Sequence, residues 1–408
     1  MKRGKLLLGG IVAAAVLWLP ARGLADDPEP SKSIDERVSD LEKAVAGVLD
    51  VQIGGMAYGS YLFNFNEPDN RVNSIRSLDQ EHNSFTLDLA QLQIGKKGPA
   101  GVAFASKLDF GKTARRIIAD WDGSGAFGDN GEETNDFELQ EGYITYAPDW
   151  AEGISVKAGK FVTLLGAEVI EAPSNPNFAR SFLFGFSIPF THTGILFNTP
   201  IGFGEASQAS IGVVNGWDNV VDNNDGKTLL GNVTLCPSKE LLLSFSGTFG
   251  PEQNNTSSNP RGVFDFVSII TLDPMTFTLN FDYGHEDEAA LDGGSEKWYG
   301  FAGIVGLSLK DMGLPAGVYV RGEVFKDDGG ARTGTDQTLH EITLTGKYFL
   351  TDHLTLWAEF RHDGSDEDSF AEEGSIIIPP DPPATDPTIS PRFTDTQDTA
   401  MVALSYVF

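Results

Sequence analysis

Few residues in this chain have the types and spacing that chemistry needs. The six histidines (82, 192, 285, 340, 353 and 362) are scattered without ligand spacing and read as polar surface side chains. Cys236 is the single thiol, so no intramolecular disulfide, Cys-based zinc site or covalent haem attachment can form, and its place before Pro237 reads as an inert thiol in a short turn. No Gly-x-Ser-x-Gly elbow with triad partners occurs, nor an HExxH motif or a phosphate-binding loop, which argues against an enzyme. The acidic stretches Asp120–Asp136, with Asp129, Glu132 and Glu133, and Asp218–Asp225 could hold Ca²⁺, a hard cation that takes clustered oxygens. Neither has EF-hand spacing, and solvated acidic loops are the plainer reading. No cofactor is expected otherwise. What remains is charge on alternating positions: Lys107 with Asp109, Lys157, Asp282, Arg321 with Glu323, Lys347, and Glu359 with Arg361. Charges spaced two apart on a strand share one face. Such a face can act on ions or solutes passing along it.

The elements that would carry those charges alternate with period two. Leu241, Leu243, Phe245, Gly247 and Phe249 fall on one face, and Leu242, Ser244, Ser246 and Thr248 on the other. Met275 to Tyr283, Ile342 to Tyr348 and Leu354 to Arg361 repeat the pattern. About sixteen such segments occur, near residues 53–65, 84–95, 102–110, 137–146, 154–161, 192–199, 206–215, 228–235, 241–249, 263–272, 275–284, 298–309, 317–325, 339–350, 354–362 and 399–408. The second changes phase midway, with Phe85, Leu87 and Leu89 followed by Leu92 and Ile94. Connections alternate short and long. A soluble sandwich has no reason to collect its long loops at one end, whereas an outer-membrane barrel has tight periplasmic turns and long outer loops. The last long connection, 363–398, holds ten acids against the single base Arg392 and reads as one surface loop. The expected fold is therefore all-β: a transmembrane antiparallel barrel over residues 51–408, wide enough at sixteen strands to leave an aqueous channel.

The ends of the chain agree. Lys2-Arg3-Gly4-Lys5, the apolar run Leu6 to Leu19 and the small residues of Gly23-Leu24-Ala25 have the layout of a secretory signal peptide over 1–25. Residues 26–50 contain Ile34, Val38, Leu41, Val45 and Val48 at heptad spacing, with Ser33 and Glu36 placed to form a capping box. They predict a short periplasmic helix, either an oligomerising coil or an amphipathic helix packed under or into the barrel. At the C-terminus Ala400, Val402, Leu404, Tyr406 and Phe408 share a face, and the terminal aromatic resembles the ending by which the barrel assembly machinery recognises outer-membrane porins.

Net charge narrows the partners. The whole chain carries −29; without the first 25 residues, which hold four bases and no acid, 25 basic residues face 58 acidic ones, a net of −33. Such a chain repels phosphate backbones, so nucleic acid is excluded as a partner. Outer-membrane lipid and lipopolysaccharide, small hydrophilic solutes and further copies of the chain in a homotrimer are the expected partners. The negative charge predicts a mild cation preference.

The third long loop, residues 162–191, stands apart. Leu164, Leu165, Phe178, Phe182, Phe184, Phe186 and Phe190 make it too apolar to lie free in water. Folding into the lumen would bury these groups and narrow the pore; covering a neighbouring subunit's wall is the alternative. In the lumen its Glu168, Glu171 and Arg180 would sit at a constriction. At this loop the sequence resembles the β-barrel porin-2 family, the OmpL-like porins. The resembling stretches are Gly159-Lys160-Phe161, Gly166 to Pro173, Asn175 to Ser181, Pro189 to Gly194 and Asn215 to Asp218. The resemblance implies a Gram-negative outer-membrane porin passing small hydrophilic solutes, with no settled substrate. Phosphate-selective porins are a more distant resemblance, and their basic pore lining is not evident here. The competing function is a surface receptor or adhesin whose acidic outer loops bind a partner.

Overall fold

The computed structural model describes residues 33, 35, 36, 38, 39, 51–117, 136–204, 206–290, 293–378 and 388–408. The predicted signal peptide, most of the predicted helix and nearly all of the acidic stretch 120–136 lie outside them. Ser33 and Glu36 do form the reciprocal capping box: Ser33 N donates to Glu36 Oε2 at 2.8 Å and Glu36 N to Ser33 Oγ at 3.2 Å. Residues 35, 36, 38 and 39 are helical.

From Val51 onward alternation becomes strand. The strands are β1 (Val51–Asn64), β2 (Ser84–Lys97), β3 (Val102–Phe110), β4 (Phe137–Tyr146), β5 (Ser155–Val162), β6 (Thr191–Pro200), β7 (Gln208–Val214), β8 (Thr228–Ser238) and β9 (Leu241–Pro251). They continue as β10 (Pro260–Leu272), β11 (Met275–Glu286), β12 (Glu296–Ser308), β13 (Ala316–Asp328), β14 (Gln337–Phe349), β15 (Leu354–Ser365), β16 (Phe370–Ile378), β17 (Thr388–Thr394) and β18 (Thr396–Val407). Sixteen of them, β1 to β15 and β18, pair antiparallel in chain order, and β18 closes onto β1. Closure leaves no unpaired edge, the condition for backbone to cross hydrocarbon. No helix among the described residues is long and apolar enough to cross a membrane; the strands do so.

β14 shows why this sequence makes a wall. Leu339, Glu341, Thr343, Thr345 and Lys347 are buried toward the lumen, while His340, Ile342 and Leu344 are exposed on the outer face. The first residues of β1 and the last of β18 lie at the rim that carries the short turns, with Met56 opposite Val407 and Val51 opposite Lys96. The long connections 65–83, 111–136, 163–190 and their successors all leave from the other rim. Tyr406 and Phe408 stack with ring centroids 6.0 Å apart on the outer face, and Phe408 exchanges backbone hydrogen bonds with Gly55.

Departures from ideal pairing have local causes. The phase change in β2 is a bulge: Tyr58 pairs with Leu89 and Gly59 with Leu87, so Asp88 is the extra residue. Phe85 and Leu87 stay on the lipid face, whereas Leu89 turns inward and is fully buried. A second bulge in β4, between the partners of Lys107 and Leu108, leaves Gln140 extra and buries both Gln140 and Glu141. Two readings need correction. Cys236 lies within β8, at a register shift against β9, rather than in a separate turn. Residues 363–398 are not one loop: Asp363 lies inside β15, and β16 pairs antiparallel with β17 as a separate two-stranded sheet.

Candidate functional site

Residues 163–190, between β5 and β6, pack against the inward face of the barrel. Leu165, Ile170, Phe182, Leu183, Phe184 and Ile188 join wall residues Phe161, Leu196, Val263, Trp298 and Phe325 in one buried cluster. Ala172 and Phe178 join Met56, Tyr58, Leu89 and Trp357 in a second, on the arc where β18 meets β1. Fully burying a Leu, Ile or Phe side chain is worth roughly 1.5–3 kcal/mol, so this apolar content, unusual for an outer loop, holds the segment against the wall.

Polar contacts then fix its path. Glu359 of β15 accepts the backbone N–H groups of Phe178 (2.7 Å) and Ala179 (2.9 Å). Glu323 of β13 accepts those of Phe182 (2.7 Å) and Leu183 (2.6 Å). The wall's cations take the loop's carbonyls. Arg321 Nη1 donates to Ala179 O at 2.8 Å, Arg361 Nη1 to Arg180 O at 2.5 Å, and Lys347 to Asn175 O. A segment with no regular partner strand thus has its N–H and C=O groups satisfied by side chains of the wall. Asp218, from the loop 215–227, caps the return into β6 by accepting the N–H groups of Phe190 (3.0 Å) and Thr191 (2.7 Å). Burial raises the Asp218 carboxyl to about 6 despite those donors and the nearby Lys160. Asp218 is therefore no part of a solvated loop, and His82 and His192 are buried rather than surface histidines.

The three loop charges are consumed locally. Glu168 accepts Arg321 Nη1 (2.7 Å) and Ser181 N (2.9 Å). Glu171 accepts Lys107 Nζ (2.8 Å), Gln140 Nε2 (3.0 Å) and Gln91 Nε2 (3.1 Å). Burial pushes the Glu171 carboxyl up, but Lys107 and the two amides outweigh it and hold it below the ordinary carboxylate range. Arg180 braces the loop itself, donating to Val169 O at 3.0 Å and to the carbonyls of Phe178 and Ile170. All three are buried and none presents an unpaired charge to open lumen.

The nine wall residues marked by parity all face inward, and they divide by neighbour. Arg321, Glu323, Lys347, Glu359 and Arg361 grip the loop. Lys107 bridges loop and wall through Glu171 and Glu141, the latter at 3.0 Å. Asp109 is buried and accepts Gln91 Nε2 at 2.9 Å. Asp282 lies opposite Asp265 across the β10–β11 pair, and Asn280 Nδ2 donates to both, at 3.0 and 2.9 Å. Lys157 packs over the rings of Tyr143 and Phe161. Sequence reading missed Glu341, which takes Arg321 Nε at 2.7 Å, and Asp363, which joins Arg361 (2.6 Å) to Arg76 (2.7 Å). Glu341 shares parity with Lys347 and was legible; Glu141 was hidden by the β4 bulge. No group of three or more His, Cys, Asp or Glu side chains suited to a metal ion occurs among the described residues.

The family model described as putative beta-barrel porin-2, OmpL-like, matches residues 50–377, the barrel almost entire. The chain belongs to this family. No curated protein matches it. Among solved structures, the anion-selective porin from Comamonas acidovorans is similar at 11% identity and TM-score 0.54, over 88% of this chain and 99% of that one. The outer-membrane channel DcaP of Acinetobacter baumannii is similar at 11% and 0.54, over 88% and 97%. OmpT of Vibrio cholerae in its trimer form is similar at 9% and 0.51, over 88% and 99%. At these identities the likeness is one of fold. For an OmpL-like porin with a closed sixteen-stranded barrel, the coarse function follows from the family: it is an outer-membrane protein and a channel rather than an enzyme.

Proposed function

We propose that this porin passes small hydrophilic solutes and ions by passive diffusion, through a lumen narrowed by loop 163–190. The observation that carries the reading is the paired capture of loop backbone by Glu323 and Glu359, which holds the segment across the lumen side of the wall instead of above it. The path left open runs beside the loop, where the inward faces of β2 to β7 keep partly exposed side chains such as Gln93, Tyr143, Thr145, Lys157 and Asn198. A low-dielectric passage of this kind makes wall charge strongly felt by passing ions. The acidic outer loops favour cations at the entrance and give the pore a mild cation preference. Single-channel recording of the purified protein tests this. Replacing 165–188 by a short Gly-Ser linker should raise conductance severalfold, and unchanged conductance would remove the loop from the pathway.

Assembly as a homotrimer is part of the proposal, supported by the trimer form in which the Vibrio cholerae neighbour was solved. Heat-modifiable gel migration, with and without residues 26–50, reads it. Lipid and lipopolysaccharide surround the barrel, and the exposed Tyr406–Phe408 pair supports insertion by the barrel assembly machinery. The receptor reading draws on the separate β16–β17 sheet, which carries the exposed Glu373. Liposomes impermeable to sugars would favour it over diffusion.

A further inference from the structure

Where loop 163–190 crosses β10 and β11, two carboxyls face each other without a counter-charge. Asp265 and Asp282 are directly opposed in the strand register and fully buried, and neither has an ion-pair partner among the described residues. Asn280 fixes how they are turned. Its Oδ1 accepts the Ala167 N–H at 3.1 Å, so the amide presents Nδ2 to the acids, donating to Asp265 Oδ2 at 2.9 Å and to Asp282 Oδ1 at 3.0 Å. The second oxygen of each, Asp265 Oδ1 and Asp282 Oδ2, is buried and has no donor.

The loop brings a third orphaned oxygen to the pair. Ser187 is fully buried, its Oγ lies beside the Asp282 carboxyl, and it too lacks a hydrogen-bond partner. Ser187 is held there by its own carbonyl, which accepts Trp298 Nε1 at 3.1 Å. Ser246 Oγ stands beside Asp265, but its one proton goes to Leu164 O at 2.9 Å. It therefore offers Asp265 a lone pair and no donor. Two like charges buried against each other are costly, and the fold must neutralise them. One proton shared between the carboxyls removes one charge, keeps the other, and leaves Ser187 Oγ orphaned. A divalent cation cancels both charges and uses all three orphaned oxygens.

We propose that Asp265, Asp282 and Ser187 form a calcium site that ties loop 163–190 to the wall. Carboxylate and hydroxyl oxygens suit a hard cation, and the set has no imidazole or thiol to favour a transition metal. Calcium tolerates an irregular set of oxygens, whereas magnesium demands near-ideal octahedral geometry. The site is distinct from the acidic stretches 120–136 and 218–225, and its ligands come from both loop and wall. It stands whichever solutes the channel passes.

The test uses the full chain folded in detergent free of lipopolysaccharide and stripped with EDTA. Calcium should raise the temperature at which the heat-modifiable band is lost, and magnesium at the same concentration should do so much less. Terbium in the site would lie close to the Trp298 indole, so terbium emission excited through tryptophan should appear and be displaced by calcium. Asp265→Asn or Asp282→Asn should weaken calcium binding at least about tenfold and remove most of the thermal shift, and Ser187→Ala should reduce the shift less. The double variant Glu132→Gln/Glu133→Gln, in an outer acidic stretch, should keep both the shift and the calcium-displaced emission. With EDTA present, Asp282→Asn should be no less stable than wild type, because it then only relieves two facing acids. A wild-type transition that is the same in calcium and in EDTA overturns the proposal in favour of a shared proton. An equal calcium shift in wild type and both aspartate variants overturns it too. If the aspartate variants do not fold, an undiminished shift in Ser187→Ala is equally decisive against it.

Discussion

Glu323 and Glu359 stand two strands apart, and each accepts two consecutive backbone N–H groups of the loop. Removing such an acceptor strands two buried donors, at a cost of about 1–3 kcal/mol each. Glu323→Ala should therefore loosen the loop around Phe182 and give noisier, larger single-channel currents, whereas Glu323→Gln, which keeps one acceptor oxygen, should fall between it and wild type. The opposite outcome is expected at Asp282. It faces Asp265 with no cation paired to either among the described residues, and each carboxyl keeps one oxygen without a donor. Asp282→Asn replaces one of two facing buried carboxyls by an amide that can donate to the other, and should leave the folded barrel as stable or more stable, by about 1 kcal/mol, in urea unfolding from detergent with EDTA present. Asp218 supplies a pH dependence. Its carboxyl is raised from an ordinary aspartate value near 4 to about 6 in the fold. A raised acid contributes stability that is complete below the unfolded value and lost as pH rises through about 6. Wild type should melt at lower temperature at pH 8 than at pH 5, and Asp218→Asn should narrow that difference; an undiminished difference would place the effect elsewhere.

At the level of elements, the strands were legible and the loop's partners only partly so. Period-two alternation located each of the sixteen barrel strands because lipid on one side and a polar lumen on the other impose opposite demands on successive residues. The phase change between Leu89 and Leu92 was visible as an irregularity, and the structure gives it a cause in the Asp88 bulge. Parity placed Arg321, Glu323, Lys347, Glu359 and Arg361 on the inner face, but not their purpose. Which backbone groups they hold depends on contacts 140 or more residues apart, as between Phe178 and Glu359, and no local pattern encodes these. The β16–β17 pair was missed because the ten acids of 363–398 read as one surface loop and outweighed the short apolar run Ile376-Ile377-Ile378. The same logic gives a prediction for the loop as an element. Its apolar clusters and its polar anchors cooperate, so Phe182→Ala should cost about 3–5 kcal/mol, the range for a large aromatic deleted from a core. If that cost falls on loop docking and not on the strands, the variant should keep heat-modifiable migration while its conductance rises. Loss of the folded band would show that the loop holds the barrel together as well as filling it.

For the whole molecule, the question is which charges a permeating ion senses. The −33 of the chain without its first 25 residues is unevenly spread: ten acids against one base lie in 363–398 alone, and although Asp363 is buried in the lumen, Asp366, Glu367, Asp368 and Glu373 beyond it are exposed at the rim of long connections. Inside the lumen, by contrast, Lys107, Arg321 and Arg361 are matched by Glu171, Glu141, Glu168, Glu341 and Asp363, while among the described residues Lys157 has no ion-pair partner and the facing Asp265 and Asp282 have no cationic side chain beside them. Rim charge acts through water and is screened over a Debye length, about 10 Å at 0.1 M salt and 3 Å at 1 M. Charge in a narrow lumen is screened far less. If the outer loops set the cation preference, reversal potentials in a KCl gradient should show it clearly near 0.1 M and lose most of it near 1 M. Lys157→Gln should then strengthen cation preference most at high salt, where the rim no longer contributes. A preference that is independent of salt would assign selectivity to the lumen wall, and anion preference at low salt would overturn the rim's part in it altogether.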